Sequence, residues 1–149
     1  MERPGDEMAR LAELFVGVWH GDDGLSPRRA SAAPSFSTWI VRTSVDGFCL
    51  LVDYEEQRGG QVTYRGHGVH GWDSRDGCLY AYWFDSVGVM PRHGNRATLD
   101  GARYIYEDAR PGGLTRFTYD WSDGDLVFTI DRATDGAWAP MHVGRYRRV

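Results

Sequence analysis

The chain has 149 residues and a net charge of −4, is 42% hydrophobic and 13% aromatic, and holds only two cysteines. These values exclude a disordered chain and a disulfide scaffold, and the net charge argues mildly against nucleic acid as the main partner. All seventeen basic residues are Arg, which excludes Schiff-base and P-loop lysine chemistry.

The length fits one domain over 1–149 with room for a sizeable core. No apolar run approaches the roughly 18 residues of a membrane span. The opening MERPGDEMAR is acidic where a signal peptide is basic and then apolar, so a cytoplasmic location is expected, with Cys49 and Cys78 as small reduced hydrophobes.

In chain order, DEMARLAELFVG places Met8, Leu11, Leu14 and Phe15 at helical spacing and ends on Gly17, which predicts one short amphipathic helix over 6–16. Beyond it the helical period disappears. Asp-Gly and Gly-Gly pairs recur at 46–47, 59–60, 76–77, 100–101, 112–113, 123–124 and 135–136, each suited to a tight hairpin. The segments between are rich in Val, Thr, Tyr, Phe and Trp. They predict ten strands, near 16–22, 35–45, 48–58, 61–73, 78–87, 93–99, 102–109, 114–121, 126–134 and 137–148. Sequential hairpins without a long crossover make an all-β, up-and-down antiparallel meander, which loses its unpaired edges by closing into a barrel. A barrel of this size is wider than its side chains fill, so a cavity is expected, with the helix closing one end. The stretch GLSPRRASAAPS, 24–35, is the one loop of note and a candidate flexible lid.

Turn positions fix register, and register fixes which side chains share a face. A turn at Asp123-Gly124 pairs Trp121 with Leu126, Tyr119 with Phe128 and Phe117 with Ile130 on one face, taken as the interior. Continuing through Asp135-Gly136 sets Met141 beside Ile130 and Val143 beside Phe128, turning His142 outward and Arg145 inward. A turn at Asp46-Gly47 sets Trp39 opposite Tyr54 and Val41 opposite Val52. A turn at Gly59-Gly60 then sets Val52 opposite His67, and the next hairpin sets His67 against Trp83 with Asp85 on the same face. The predicted cavity is thus lined by Trp39, Val41, Leu50, Val52, Tyr54, Val69, Trp83, Phe117, Tyr119, Phe128 and Met141. Tyr104 is placed with them, and His67, Asp85 and Arg145 supply polar groups.

The segments LAELFVGVWHG, LLVDYEE, YRGHGVHGWDS, YAYWFDSVG and WAPMHVGRYRRV together resemble the bacterial domain-of-unknown-function family fifteen seventy-nine over most of the chain. The resemblance implies a lipocalin-like, or fatty-acid-binding-protein-like, calycin barrel, and it implies no reaction. Gly17-x-Trp19 also resembles the lipocalin start, where the tryptophan packs across the closed end.

Trp19 accordingly reads as a plug under the helix more than as a stacking platform. His20 and Asp22 share a strand face, but two ligands do not make a metal site, and none is expected. His67 and His70 stand three apart on a strand and face opposite ways, so they cannot chelate one ion. His67 with Asp85 is the candidate catalytic pair, since a carboxylate beside an imidazole equips a general acid or base. Inward Arg145 is suited to a ligand carboxylate or to the carboxylate of Asp85. Related ten-stranded barrels can hold haem through a histidine on the final strand. The register turns His142 outward, so no cofactor is expected. No serine stands in a nucleophile elbow.

The leading expectation is a binding module for a small apolar or aromatic ligand. The alternative is a cyclase, isomerase or dehydratase using His67 and Asp85. A third possibility is a structural barrel filled by its own aromatics. No nucleic acid or membrane partner is expected, and a homodimer is compatible with the sequence.

Overall fold

The computed structural model describes residues 2–25 and 34–149. The candidate lid falls largely on residues 26–33, outside the described residues; Gly24 and Leu25 end the first strand and Ser35 begins the second. Helix α1 (Asp6–Phe15) precedes ten strands: β1 (Gly17–Leu25), β2 (Ser35–Ser44), β3 (Cys49–Arg58), β4 (Gln61–Asp73), β5 (Cys78–Asp85), β6 (Asn95–Asp100), β7 (Arg103–Arg110), β8 (Gly113–Asp120), β9 (Leu126–Thr134) and β10 (Ala137–Arg148). All pair antiparallel with their neighbours, and β1 pairs with β10, so the meander closes into a barrel without a free edge. The predicted all-β barrel with one N-terminal helix is the observed architecture.

The hairpins form where the turn residues allow. Gly59 and Gly60, and Asp135 with Gly136, all take positive φ, as a tight two-residue hairpin requires. The helix lies across one end because Met8, Leu11 and Phe15 share a face and are fully buried against the barrel. Phe15 meets the rings of Trp39, His70, Tyr119 and Trp121. Trp19 donates its indole N–H to the Phe15 carbonyl at 2.9 Å, satisfying an orphan acceptor of the helix C-terminus. It is the plug the sequence suggested. The lower barrel is a filled core of aromatic and aliphatic side chains, including Leu50, Leu79, Tyr104 and Leu126.

Two bulges overturn part of the predicted register. The Trp39–Tyr54, Val41–Val52, Phe117–Ile130 and Tyr119–Phe128 pairs are as expected. In β4, however, Glu56 pairs with Tyr64 and Gln57 with Val62, so Thr63 is an extra residue. Val52 consequently faces Gly68, His67 pairs with Asp53 and Phe84, and Val69 pairs with Leu51 and Tyr82 on the outer face. His67 and Val69 therefore do not line the interior. In β10, Pro140 pairs with Asp131 and His142 with Ile130, leaving Met141 as the extra residue. Proline has no N–H for the ladder, which breaks there. The one-residue slip turns His142 inward, with 1% exposed, and Arg145 outward.

Gly66 and Gly68 face inward because the Trp83 indole lies across them; a Cβ at Gly66 would overlap its ring. Gly66→Ala is expected to cost about 1–3 kcal/mol through overpacking. Gly71→Ala on the same strand, where a Cβ would meet Cys49 Sγ at 3.4 Å, stays within about 0.5 kcal/mol of wild type. Unfolding free energies in urea measure both.

Candidate functional site

The upper half of the barrel, away from α1, holds a cavity of about 500 Å³. Trp39, Tyr54, Trp83, Phe117, Tyr119 and Phe128 form its walls, with Ile130, Met141 and His142 on the β9–β10 side. Val87, Val89, Pro111, Thr115 and Arg132 stand toward the mouth, where the β5–β6 and β7–β8 connections lie. Most of the rings pack edge-on or tilted, Trp39 meeting Phe128 at 5.1 Å and 75°, while Phe117 stacks on Tyr106 at 4.8 Å and 17°. A wider depression of about 590 Å³ runs over the outer wall along Ile40, Asp53, His67 and Phe84, open to solvent and outside the aromatic lining.

A buried polar cluster borders the cavity. Asp23 on β1 is 1% exposed. Its carboxylate accepts hydrogen bonds from the Ser37 hydroxyl, from Tyr54 Oη at 2.8 Å and from the Tyr146 hydroxyl, and it faces His142 Nε2 at 2.9 Å. Burial by itself pushes the Asp23 carboxyl up. The hydrogen bond and field of His142, with the Ser37 and Tyr146 hydroxyls, outweigh it and hold the group well below the usual carboxylate range. Burial first, and the Asp23 charge second, push the Tyr54 phenol far up, so Tyr54 stays a donor. Because a carboxylate only accepts, His142 Nε2 carries the hydrogen of their bond. His142 Nδ1 is buried and has no hydrogen-bond partner among the described residues.

The remaining candidates fall into three groups. Trp39, Tyr54, Trp83, Phe117, Tyr119, Phe128 and Met141 line the cavity. Val52 and Tyr104 are fully buried in the filled core, with Tyr104 Oη at 2.8 Å from His70 Nδ1. His67 and Arg145 are on the outside. His67 Nδ1 lies 2.8 Å from Asp53, in solvent, where such a pair contributes little. Arg145 donates to Asp123 and Asp125 at 2.9 and 3.0 Å rather than meeting a guest or Asp85. Asp85 lines the cavity, accepting from Tyr64 Oη at 3.1 Å, while Tyr64 in turn accepts from Trp83 Nε1 at 2.8 Å. His67 and Asp85 thus stand on opposite faces of the wall, and the carboxylate–imidazole pair of the interior is Asp23 with His142.

Strand parity carried the signal for Asp23, since Trp19, Gly21 and Asp23 alternate on one face of β1. Pro140 carried the signal for His142. The same two residues test haem. An axial histidine commonly binds iron through one nitrogen while a second-shell acceptor holds the other N–H. Here Asp23 holds Nε2–H, so Nδ1 is the nitrogen left with a lone pair. Among the described residues, no group of three or more His, Cys, Asp or Glu side chains is arranged to hold a metal ion. His20 Nδ1 instead meets Thr38 Oγ1 at 3.1 Å, and Asp22 accepts from Ser35 Oγ.

No protein-family model matches the chain, and no curated protein does. The chain is similar in structure to the crystal structure of Rv2717c from M. tuberculosis, at 12% identity and a TM-score of 0.70 over 99% of each chain. It also matches the crystal structure of the wild-type fluorescent protein UnaG, at 16% identity and a TM-score of 0.47 over 93% of this chain and 99% of that one. The likeness to Rv2717c is one of fold alone. Among the described residues, no helix is long and apolar enough to cross a membrane.

Burial pushes the His70 imidazole down to about 3 from an ordinary 6.5. The unfolded chain then binds a proton that the folded chain refuses across that interval. Stability from His70 is complete above pH 6.5 and falls as pH drops, by about 1.4 kcal/mol per unit. His70→Phe is expected to be weaker at pH 7 but to lose that slope between pH 6.5 and 4.5, where the Asp23 carboxylate does not titrate. Urea unfolding at a series of pH values compares the two.

Proposed function

We propose that this chain is a binding protein whose barrel holds a small apolar or aromatic molecule. The observation that carries this is the cavity of about 500 Å³ walled by tryptophan, tyrosine and phenylalanine rings. An apolar mouth supports it: Val87 and Val89 line the cavity and are 69% and 57% exposed. Arg132 also lines the mouth, without an ion-pair partner among the described residues, and suits a polar end of the guest left near water. We place the chain with family fifteen seventy-nine, as a bacterial, cytoplasmic protein, on its sequence resemblance alone, and its two free cysteines agree with a reducing compartment. Neither a cofactor nor a macromolecular partner is part of this proposal.

The Asp23–His142 pair favours a second reading, proton transfer on the same scaffold in a cyclisation, isomerisation or dehydration. That reading no longer rests on His67 with Asp85, which are on opposite faces of the wall.

Native mass spectrometry of protein purified from its own host is expected to show a small-molecule adduct. Anilinonaphthalene sulfonate is expected to bind saturably at one site per chain. Ile130→Trp, which fills the cavity, should weaken that binding at least about tenfold. Absence of both adduct and saturable binding overturns the proposal, and a Soret band replaces it with haem.

A further inference from the structure

We propose that the cavity selects guests bearing an acidic hydroxyl, a phenol or enol on a planar apolar body, and that His142 Nδ1 is the atom that receives it. This rests on the binding reading above and adds the chemistry of the guest.

The argument begins with the hydrogen-bond inventory. His142 stands on the cavity wall between Phe128, at 5.4 Å between ring centres, and the Asp23 cluster. Its Nε2 is committed to Asp23. Its Nδ1 is buried and no group among the described residues reaches it. A buried polar atom left without a partner is costly, and in an otherwise satisfied cluster it marks the place of a partner the protein does not supply. The Asp23 carboxylate behind the ring fixes the tautomer, with the hydrogen on Nε2 and the acceptor lone pair on Nδ1.

Charge decides the class. A guest carboxylate here would sit close to the buried Asp23 charge, which disfavours a second anion of that kind. A phenol or enol avoids this, because it can stay neutral while donating its O–H. The aromatic walls formed by Trp39, Trp83 and Phe117 accept the planar remainder.

The test compares para-nitrophenol with para-nitroanisole, which keeps the ring and lacks the O–H. Dissociation constants are measured by calorimetry at a pH where the free phenol is neutral. Wild type is expected to prefer the phenol by about tenfold or more. His142→Phe should bind both equally; Asp23 there keeps its Ser37, Tyr54 and Tyr146 donors. Asp23→Asn, which preserves an acceptor for Nε2–H without the charge, should narrow the preference to a few-fold, and it decides the case if His142→Phe does not fold. Equal binding of the two probes to wild type overturns this inference and leaves the binding reading standing. A preference that survives in both variants also overturns it. If neither probe nor anilinonaphthalene sulfonate binds, the binding reading fails and takes this one with it.

Discussion

A single buried carboxylate sits where the barrel closes. Asp23 belongs to β1, and the groups that surround it come from β2 (Ser37), β3 (Tyr54) and β10 (His142 and Tyr146). Taking an unpaired carboxylate out of water costs several kcal/mol, so Asp23 can be where it is only if the strands on both sides of the β1–β10 seam are in register. Elsewhere the barrel follows its hairpins, whose short turns set the pairing locally. The seam has no turn, because it joins the first strand to the last. Register there is set by side chains. Gly144, opposite Asp23, lacks a Cβ because the Tyr146 hydroxyl and an Asp23 oxygen occupy that space.

The two ends of the barrel differ because of what the sequence sends inward. Toward α1 the inward residues are Leu50, Leu79, Leu126 and Tyr104, and Phe15 descends from the helix to meet Tyr119 of the cavity wall. Toward the mouth the inward positions are larger rings that meet at an angle, with polar residues such as Arg132 and Asp85 between them. Tilted rings joined by hydrogen bonds hold one another apart. Trp83 is fixed by its bond to Tyr64 and by the glycine track beneath it, so it is not free to fall into the space beside Phe117. The cavity persists because its walls are braced and not because side chains are missing.

The helix, all ten strands and the closed topology were legible in the sequence, because amphipathic spacing and Asp-Gly or Gly-Gly turns are local signals. Facing was legible only as far as the next bulge. From Asp123-Gly124 backward to Phe117 the register held, and so did Trp39 with Tyr54. Past Thr63 and Met141 it slipped by one residue, which exchanged His67 for His70 and Arg145 for His142 on the inner face. The two slips differ in kind. Pro140 announces its bulge, since a residue without an N–H cannot continue a ladder. Thr63 gives no such notice: its hydroxyl bonds to the Glu56 side chain at 3.1 Å, a contact visible only once the strands are placed. Gly66 and Gly68 offered an independent check, because alternating glycines in a barrel strand mark the face a bulky ring crosses, which leaves His67 between them on the other side.

The β10 bulge therefore does more than correct a register. Without it, Arg145 would project into the aromatic interior and His142 into water, and Asp23 would lose the one nitrogen that meets it. With it, Arg145 is turned out to Asp123 and Asp125, and the imidazole completes the seam. Closure and the polar edge of the cavity are thus built from the same residues. A guest that satisfies Nδ1 binds the folded chain and not the unfolded one, so it adds by mass action to the stability of the seam. The coupling runs the other way as well. Any change that loosens β1 against β10 displaces the ring that borders the cavity, so the strength of the closure and the selectivity of the site rise and fall together.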